Sequence, residues 1–177
     1  MSENKKFEES PEFFISKSKD PFSVDTSSHL ANEYVFHGTN EKALSSLLEL
    51  GVNSDFFIDV GKSGRAFYTA TDIKMALNHS VSDESSKGVI LLFKINSKSK
   101  ILTEDNDAFY DLNNHVGSGK EGQKFKKEGY DGLFIKAFNE VALYNPSSIT
   151  LVSFLPKDAI LDCIYSKRFE HDSGFSF

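Results

Sequence analysis

The chain has 177 residues, 39% of them hydrophobic, with a formal net charge of -6 and a single cysteine. Those figures fit one globular domain with one core and exclude wholesale disorder. The acidic balance argues against broad, sequence-independent nucleic-acid binding, though it leaves room for a local basic patch.

Cys163 alone makes no intramolecular disulfide, which points to a reducing, cytoplasmic-type compartment or to a chain that needs no staple. No apolar run is long enough to span a bilayer, so no membrane partner is expected. Met1 to Lys6 leads into acidic, Ser-rich sequence without the apolar core of a secretory signal. Delivery into another cell by a specialised route remains compatible with that start. Oligomeric state is open.

Residues 1 to about 30 lack periodicity and hold two of the four prolines. They are expected to form a mobile arm, with Phe13, Phe14 and Ile15 as the residues able to dock. The folded domain is expected over residues 31–165, and a frayed tail over 166–177.

Tyr34-Val35-Phe36 reads as a strand that ends at His37-Gly38-Thr39. Asn40 or Thr39 can cap a helix from Glu41 to Leu50, with Ala43, Leu44, Leu47 and Leu48 as its apolar face and Gly51 as its stop. His37 therefore sits at a strand-to-helix turn. After a loop rich in Asp, Gly and Ser comes a second strand, Arg65 to Ala70, and then a second helix that Thr71 can cap, with Ile73, Ala76 and Leu77 facing inward.

Val89 to Ile95 is the strongest strand signal, apolar enough to be buried on both faces. Ile101-Leu102 reads as a short strand. Residues 103–128 read as a long polar loop with a weak helical signal around Phe109 and Leu112. Its Lys120, Lys124, Lys126 and Lys127 suit an acidic partner or a solvated face.

Gly129 to Pro146 reads as a turn, a strand, a short connection, a second strand and a stop. Glu140 stands at the head of the second strand. An unpaired carboxylate is too costly to bury, so Glu140 is expected at a mouth rather than in a core. Ile149 to Leu155 is a further strand, and Ile160, Leu161 and Ile164 mark a last helical turn or strand. Strands with short late connections and two early helices indicate an α+β domain.

Several motifs fail on inspection. Gly61-Lys62-Ser63 lacks the upstream glycine of a phosphate loop and is expected to be a flexible loop. Gly117-Ser118-Gly119-Lys120 lacks the following Ser or Thr. The five histidines show no paired ligand spacing, so no metal site is expected. No Gly-x-Ser-x-Gly elbow is present, and Cys163 is expected to be a buried structural thiol.

Three segments remain: Phe36-His37-Gly38-Thr39, Gly64-Arg65-Ala66-Phe67-Tyr68-Thr69-Ala70 and Phe138-Asn139-Glu140-Val141-Ala142-Leu143-Tyr144. Their order and spacing resemble the His-Tyr-Glu branch of the ADP-ribosyltransferase superfamily, which includes diphtheria toxin and the poly(ADP-ribose) polymerases. The resemblance runs from about Tyr34 to Phe154. It implies two packed, mainly antiparallel sheets with flanking helices around an NAD cleft.

The resemblance also implies roles. His37 would bond the adenosine ribose of NAD, Gly38 would hold the nicotinamide carboxamide through its backbone, and Thr39 would support the adenosine side. Tyr68 would stack on the nicotinamide, and Glu140 would bind the nicotinamide ribose. NAD enters as a substrate, with no metal.

The implied activity is transfer of a single ADP-ribose to a macromolecular acceptor, protein or nucleic acid. The alternatives are an NAD glycohydrolase toxin and a degenerate NAD- or protein-binding domain of the same fold. NAD-dependent removal of phosphate from RNA ranks low, because that branch relies on several arginines and this chain has Arg65 and Arg168 alone. The chain departs from the family in three places. Ala66 replaces a glycine, Ala76 replaces a hydroxyl-bearing residue, and His79 stands where a second stacking tyrosine is usual.

Overall fold

A computed structural model of the chain describes residues 9–58, 63–81, 86–104 and 120–172. In chain order the elements are α1 (Pro11–Lys17), β1 (Tyr34–Asn40), α2 (Glu41–Leu50), β2 (Phe67–Thr69), α3 (Ile73–His79), β3 (Gly88–Ile95), β4 (Ile101–Glu104), α4 (Lys120–Lys127), β5 (Gly132–Ile135), β6 (Glu140–Leu143), β7 (Ile149–Pro156) and α5 (Lys157–Asp172). They form an α+β domain with two mostly antiparallel sheets.

Among the described residues one sheet has the order β1-β3-β7 and the other β2-β6-β5-β4, with β4–β5 parallel and the remaining pairs antiparallel. The apolar run Val89 to Phe93 places β3 at the centre of the first sheet, covered on both faces as its composition requires.

Strand alternation then divides the side chains into three layers. Val35, Leu91 and Phe93 of the first sheet meet Phe67, Phe134, Val141 and Leu143 of the second in the central core. Phe36, Ile90 and Leu92 point the other way, onto Phe14 of α1, Ala76 and Leu77 of α3, and Ile160 of α5. On the outer face of the second sheet, Leu133, Ile135, Ala142 and Tyr144 pack with Tyr68 and with Phe125 of α4.

The local chemistry of the first helix pair is as expected in one case and shifted in the other. Asn40 caps α2, its side-chain oxygen accepting from the Ala43 N–H at 3.0 Å. α3 is capped by Asp72 rather than Thr71, because the Thr71 hydroxyl is engaged with Asn139. Leu48, expected on the apolar face of α2, is 53% exposed, so that face is narrower, built on Leu44 and Leu47.

Three other expectations differ. The stretch read as a mobile arm is packed from residue 9 onward: Ser10 caps α1, and Phe14, Val24 and Leu30 are buried. Its aromatic residues supply surface that α5 and the first sheet need covered, which outweighs the lack of periodicity. The C-terminal tail is helical through Asp172. Cys163 on α5 is only half-buried, and its thiol donates to a Glu12 oxygen on α1 at 3.2 Å.

The helical signal around Phe109 and Leu112 lies outside the described residues, and the helix described in that region is α4. Among the described residues no helix is long and apolar enough to cross a membrane.

Phe14 is fully buried, so Phe14→Ala should destabilise the domain by about 3–5 kcal/mol. Denaturant unfolding checks this, and a change under about 0.5 kcal/mol would restore the mobile-arm reading.

Candidate functional site

β1 and β2 are edge strands of their respective sheets, and among the described residues one backbone bridge joins them. Phe36 and Ala70 exchange both backbone hydrogen bonds there, at 2.7 and 2.9 Å. Continued antiparallel pairing would set Gly38 opposite Tyr68, with the Gly38 N–H donating to the Tyr68 carbonyl. That carbonyl is taken instead by Nδ1 of His37, at 2.8 Å. The imidazole fills the ladder position, and the two strands part.

The notch between them opens into a cleft of about 350 Å3, lined by residues from both strands, α3, Ile58 and the segment Phe138 to Glu140. That volume is within the range of small-molecule sites, about 300–1,000 Å3.

His37, Gly38, Tyr68, His79 and Glu140 all line this cleft. Thr39 does not; it continues β1 opposite Val89. The pleat turns the N–H and C=O of Gly38 to the same side as those of Phe36, toward the notch. Gly38 is constrained on its other side. A Cβ there would lie 1.9 Å from the Ala76 carbonyl oxygen, so the missing side chain lets α3 press against β1. Helix packing is thus sufficient reason for a glycine at this position.

His37 is held flat against Phe67, with ring centroids 4.5 Å apart and planes 29° off parallel. Because a carbonyl can only accept, Nδ1 carries the hydrogen and Nε2 of the neutral ring is an acceptor. Burial holds the imidazole below its ordinary pKa of 6.5; the bond to Tyr68 opposes that shift and the nearby His79 adds to it. The neutral form is thus the resting form at pH 7.

Glu140 and Ala142 share the outer face of β6, and Ala142 pairs with Tyr68. Glu140 is therefore the diagonal neighbour of Tyr68, at a spacing of about 7–8 Å. Asn139 precedes it in the left-handed conformation, φ 48°. Its side-chain oxygen accepts from the backbone N–H and the hydroxyl of Thr71, at 2.9 and 2.8 Å. This turns the chain sharply and sets Glu140 at the cleft mouth, half-buried rather than in the core. The Tyr68 hydroxyl donates to the Gly64 carbonyl, which fixes the ring.

Sequence reasoning missed four contributors. Met75, Phe138 and Ile58 supply apolar wall, and nothing in their local sequence sets them apart from ordinary core residues. Ser63, set aside as part of a flexible loop, is buried and donates its hydroxyl to Oε1 of Glu140 at 3.0 Å. Gly61 and Lys62 of the same tripeptide lie outside the described residues.

Two other depressions are less suited to a ligand. One, at the opposite end of β3, is lined by Asn96, Asp131 and Asn145. Their side chains bond one another or nearby backbone. The other is an apolar hollow beside the end of α2. Among the described residues no group of three or more His, Cys, Asp or Glu is placed to hold a metal.

Comparison with protein-family models, with curated proteins and with solved structures finds no match to this chain.

The unfolded chain takes up the His37 proton near pH 6.5, whereas the folded protein does so only at lower pH. The unfolded state therefore binds more protons below that point, and stability falls as pH is lowered through it. Thermal melts from about pH 7 to 5.5 should lose less Tm in His37→Gln than in the wild type. Equal losses would mean that His37 titrates normally.

Proposed function

We propose that the protein is an ADP-ribosyltransferase that uses NAD as its substrate, and that its two-sheet arrangement is a version of that fold. One observation carries the reading. Three segments drawn from nearly the whole folded chain, around His37, Tyr68 and Glu140, meet in one cleft with their chemistry-bearing groups on its lining.

The chemistry supplies a use for each group. The bond between the nicotinamide nitrogen and ribose C1′ breaks, and its electron pair leaves with the nicotinamide, whose ring becomes neutral. Positive charge develops on the ribose, as in glycoside cleavage. A carboxylate fixed beside that ribose stabilises the transition state more than the ground state, and Glu140 at the cleft mouth is the group suited to it. The acceptor then bonds to C1′ and gives up its proton.

The Tyr68 ring, tied by its hydroxyl, offers a flat face for the nicotinamide. The Gly38 backbone, turned toward the notch, can pair with the carboxamide. The Nε2 acceptor of His37 suits a ribose hydroxyl of NAD. His79 is exposed at the end of α3 and lines the cleft, and its ring would stack at the rim. Thr39, next to Gly38 on β1, lies outside the cleft lining, and its support of the adenosine side stays part of the proposal.

The test is nicotinamide release from NAD by purified protein, with labelled NAD and a cell lysate present. Glu140→Gln should lower the rate roughly 10²–10³-fold. Label appearing in macromolecules supports a transferase, and release without label supports a glycohydrolase. No release, with wild type equal to the variant, overturns the catalytic reading in favour of a binding domain.

A further inference from the structure

We infer that Ser63 is a positioning residue for Glu140: its hydroxyl holds the carboxylate in one orientation at the cleft mouth. The catalytic consequence rests on the NAD reading above, whereas the bond itself does not.

Ser63 is 1% exposed, so its hydroxyl has little water to exchange with, and it donates to Oε1 of Glu140 at 3.0 Å. The turn that carries it is held from two sides. Tyr144, at the end of the strand that Glu140 begins, donates its hydroxyl to the Ser63 carbonyl at 3.3 Å. Tyr68, on the neighbouring strand, donates its hydroxyl to the carbonyl of Gly64, the next residue. Gly64 has φ 84°, which lets the chain reverse there without a Cβ penalty. Two tyrosine hydroxyls thus fix the backbone on which the serine hydroxyl is mounted.

A glutamate side chain has three rotatable bonds, and at a cleft mouth it samples several orientations unless something holds it. A hydroxyl aligned on a carboxylate supplies that restraint and favours the ionised form. An ionised, fixed carboxylate is what a developing oxocarbenium ion needs, because the preorganisation is then complete before the bond lengthens. The hydroxyl neither reacts nor loses its proton. It acts on the rate through Glu140.

The experiment compares wild type, Ser63→Ala, Ser63→Thr, Glu140→Gln and the double variant Ser63→Ala/Glu140→Gln. Nicotinamide release from NAD and thermal unfolding are both measured. Ser63→Ala should lower kcat roughly 10- to 100-fold, the loss of one hydrogen bond to a charged group, with KM within about threefold. Ser63→Thr, which keeps a hydroxyl, should recover most of it. In the Glu140→Gln background, Ser63→Ala should cost little further activity, whereas a merely structural serine would lower both backgrounds alike. The Tm losses of the two single variants should also fail to add in the double variant.

Wild-type kcat in Ser63→Ala, or additive losses in activity or in Tm, would overturn the proposal. If the wild type releases no nicotinamide, the NAD reading falls by itself. The Tm cycle then still decides the Ser63–Glu140 link: non-additive losses support it and additive losses refute it.

Discussion

Among the described residues one backbone junction ties the two sheets, the paired hydrogen bonds between Phe36 and Ala70, and the arrangement depends on it. Each sheet is otherwise complete in itself, and the two face one another through side chains alone in the central core. A continuous ladder between β1 and β2 would merge them and leave no cleft. No junction at all would leave two edges with unpaired N–H and C=O groups, a costly and association-prone arrangement. One exchanged pair, followed by divergence, ties the sheets and opens a notch beside the tie.

His37 sets where the divergence begins. By taking the Tyr68 carbonyl, its imidazole satisfies an acceptor that the ladder would otherwise claim. The ring can do so because Phe67 supports it from the core side. The adjacent Gly38 then turns its backbone groups toward the notch, while its bare α-carbon lets α3 close the back wall. The His-Gly pair is thus a folding device. Its two members act on opposite faces of one strand.

Much of this was legible in the sequence. The strand at Val89 to Ile95, the α2 cap at Asn40 and the turn-strand-strand order before Pro146 follow from composition and periodicity. Glu140 at a mouth follows from the cost of burying a charge. The parts that escaped depend on long-range contacts. The Phe13–Ile15 segment has no periodic neighbours to announce a helix, and α1 becomes stable only because α5 and the first sheet offer it apolar surface. Ser63 gives no local signal either, since serine in a Gly-Ser loop is ordinary. Its partner is 77 residues away, so only the fold brings the two together.

The placement of Glu140 shows how these long-range terms combine. The residue starts a strand whose next three members are buried, so its backbone is rigid from its first peptide. Asn139 before it holds a left-handed conformation that costs most residues energy, though asparagine pays less than others. The two bonds from Thr71 offset that cost, and the Thr71 carbonyl in turn accepts from the Lys19 N–H in the N-terminal segment at 2.9 Å. The backbone of the glutamate is therefore set from one direction by Asn139 and Thr71, and its side chain from another by Ser63. Neither restraint alone fixes the carboxylate: a rigid backbone leaves the side-chain rotors free, and a hydroxyl on a loose loop would follow the carboxylate rather than hold it. The tyrosine bonds to Ser63 and Gly64 remove the second freedom, and with both restraints in place the charge faces the cleft in one orientation.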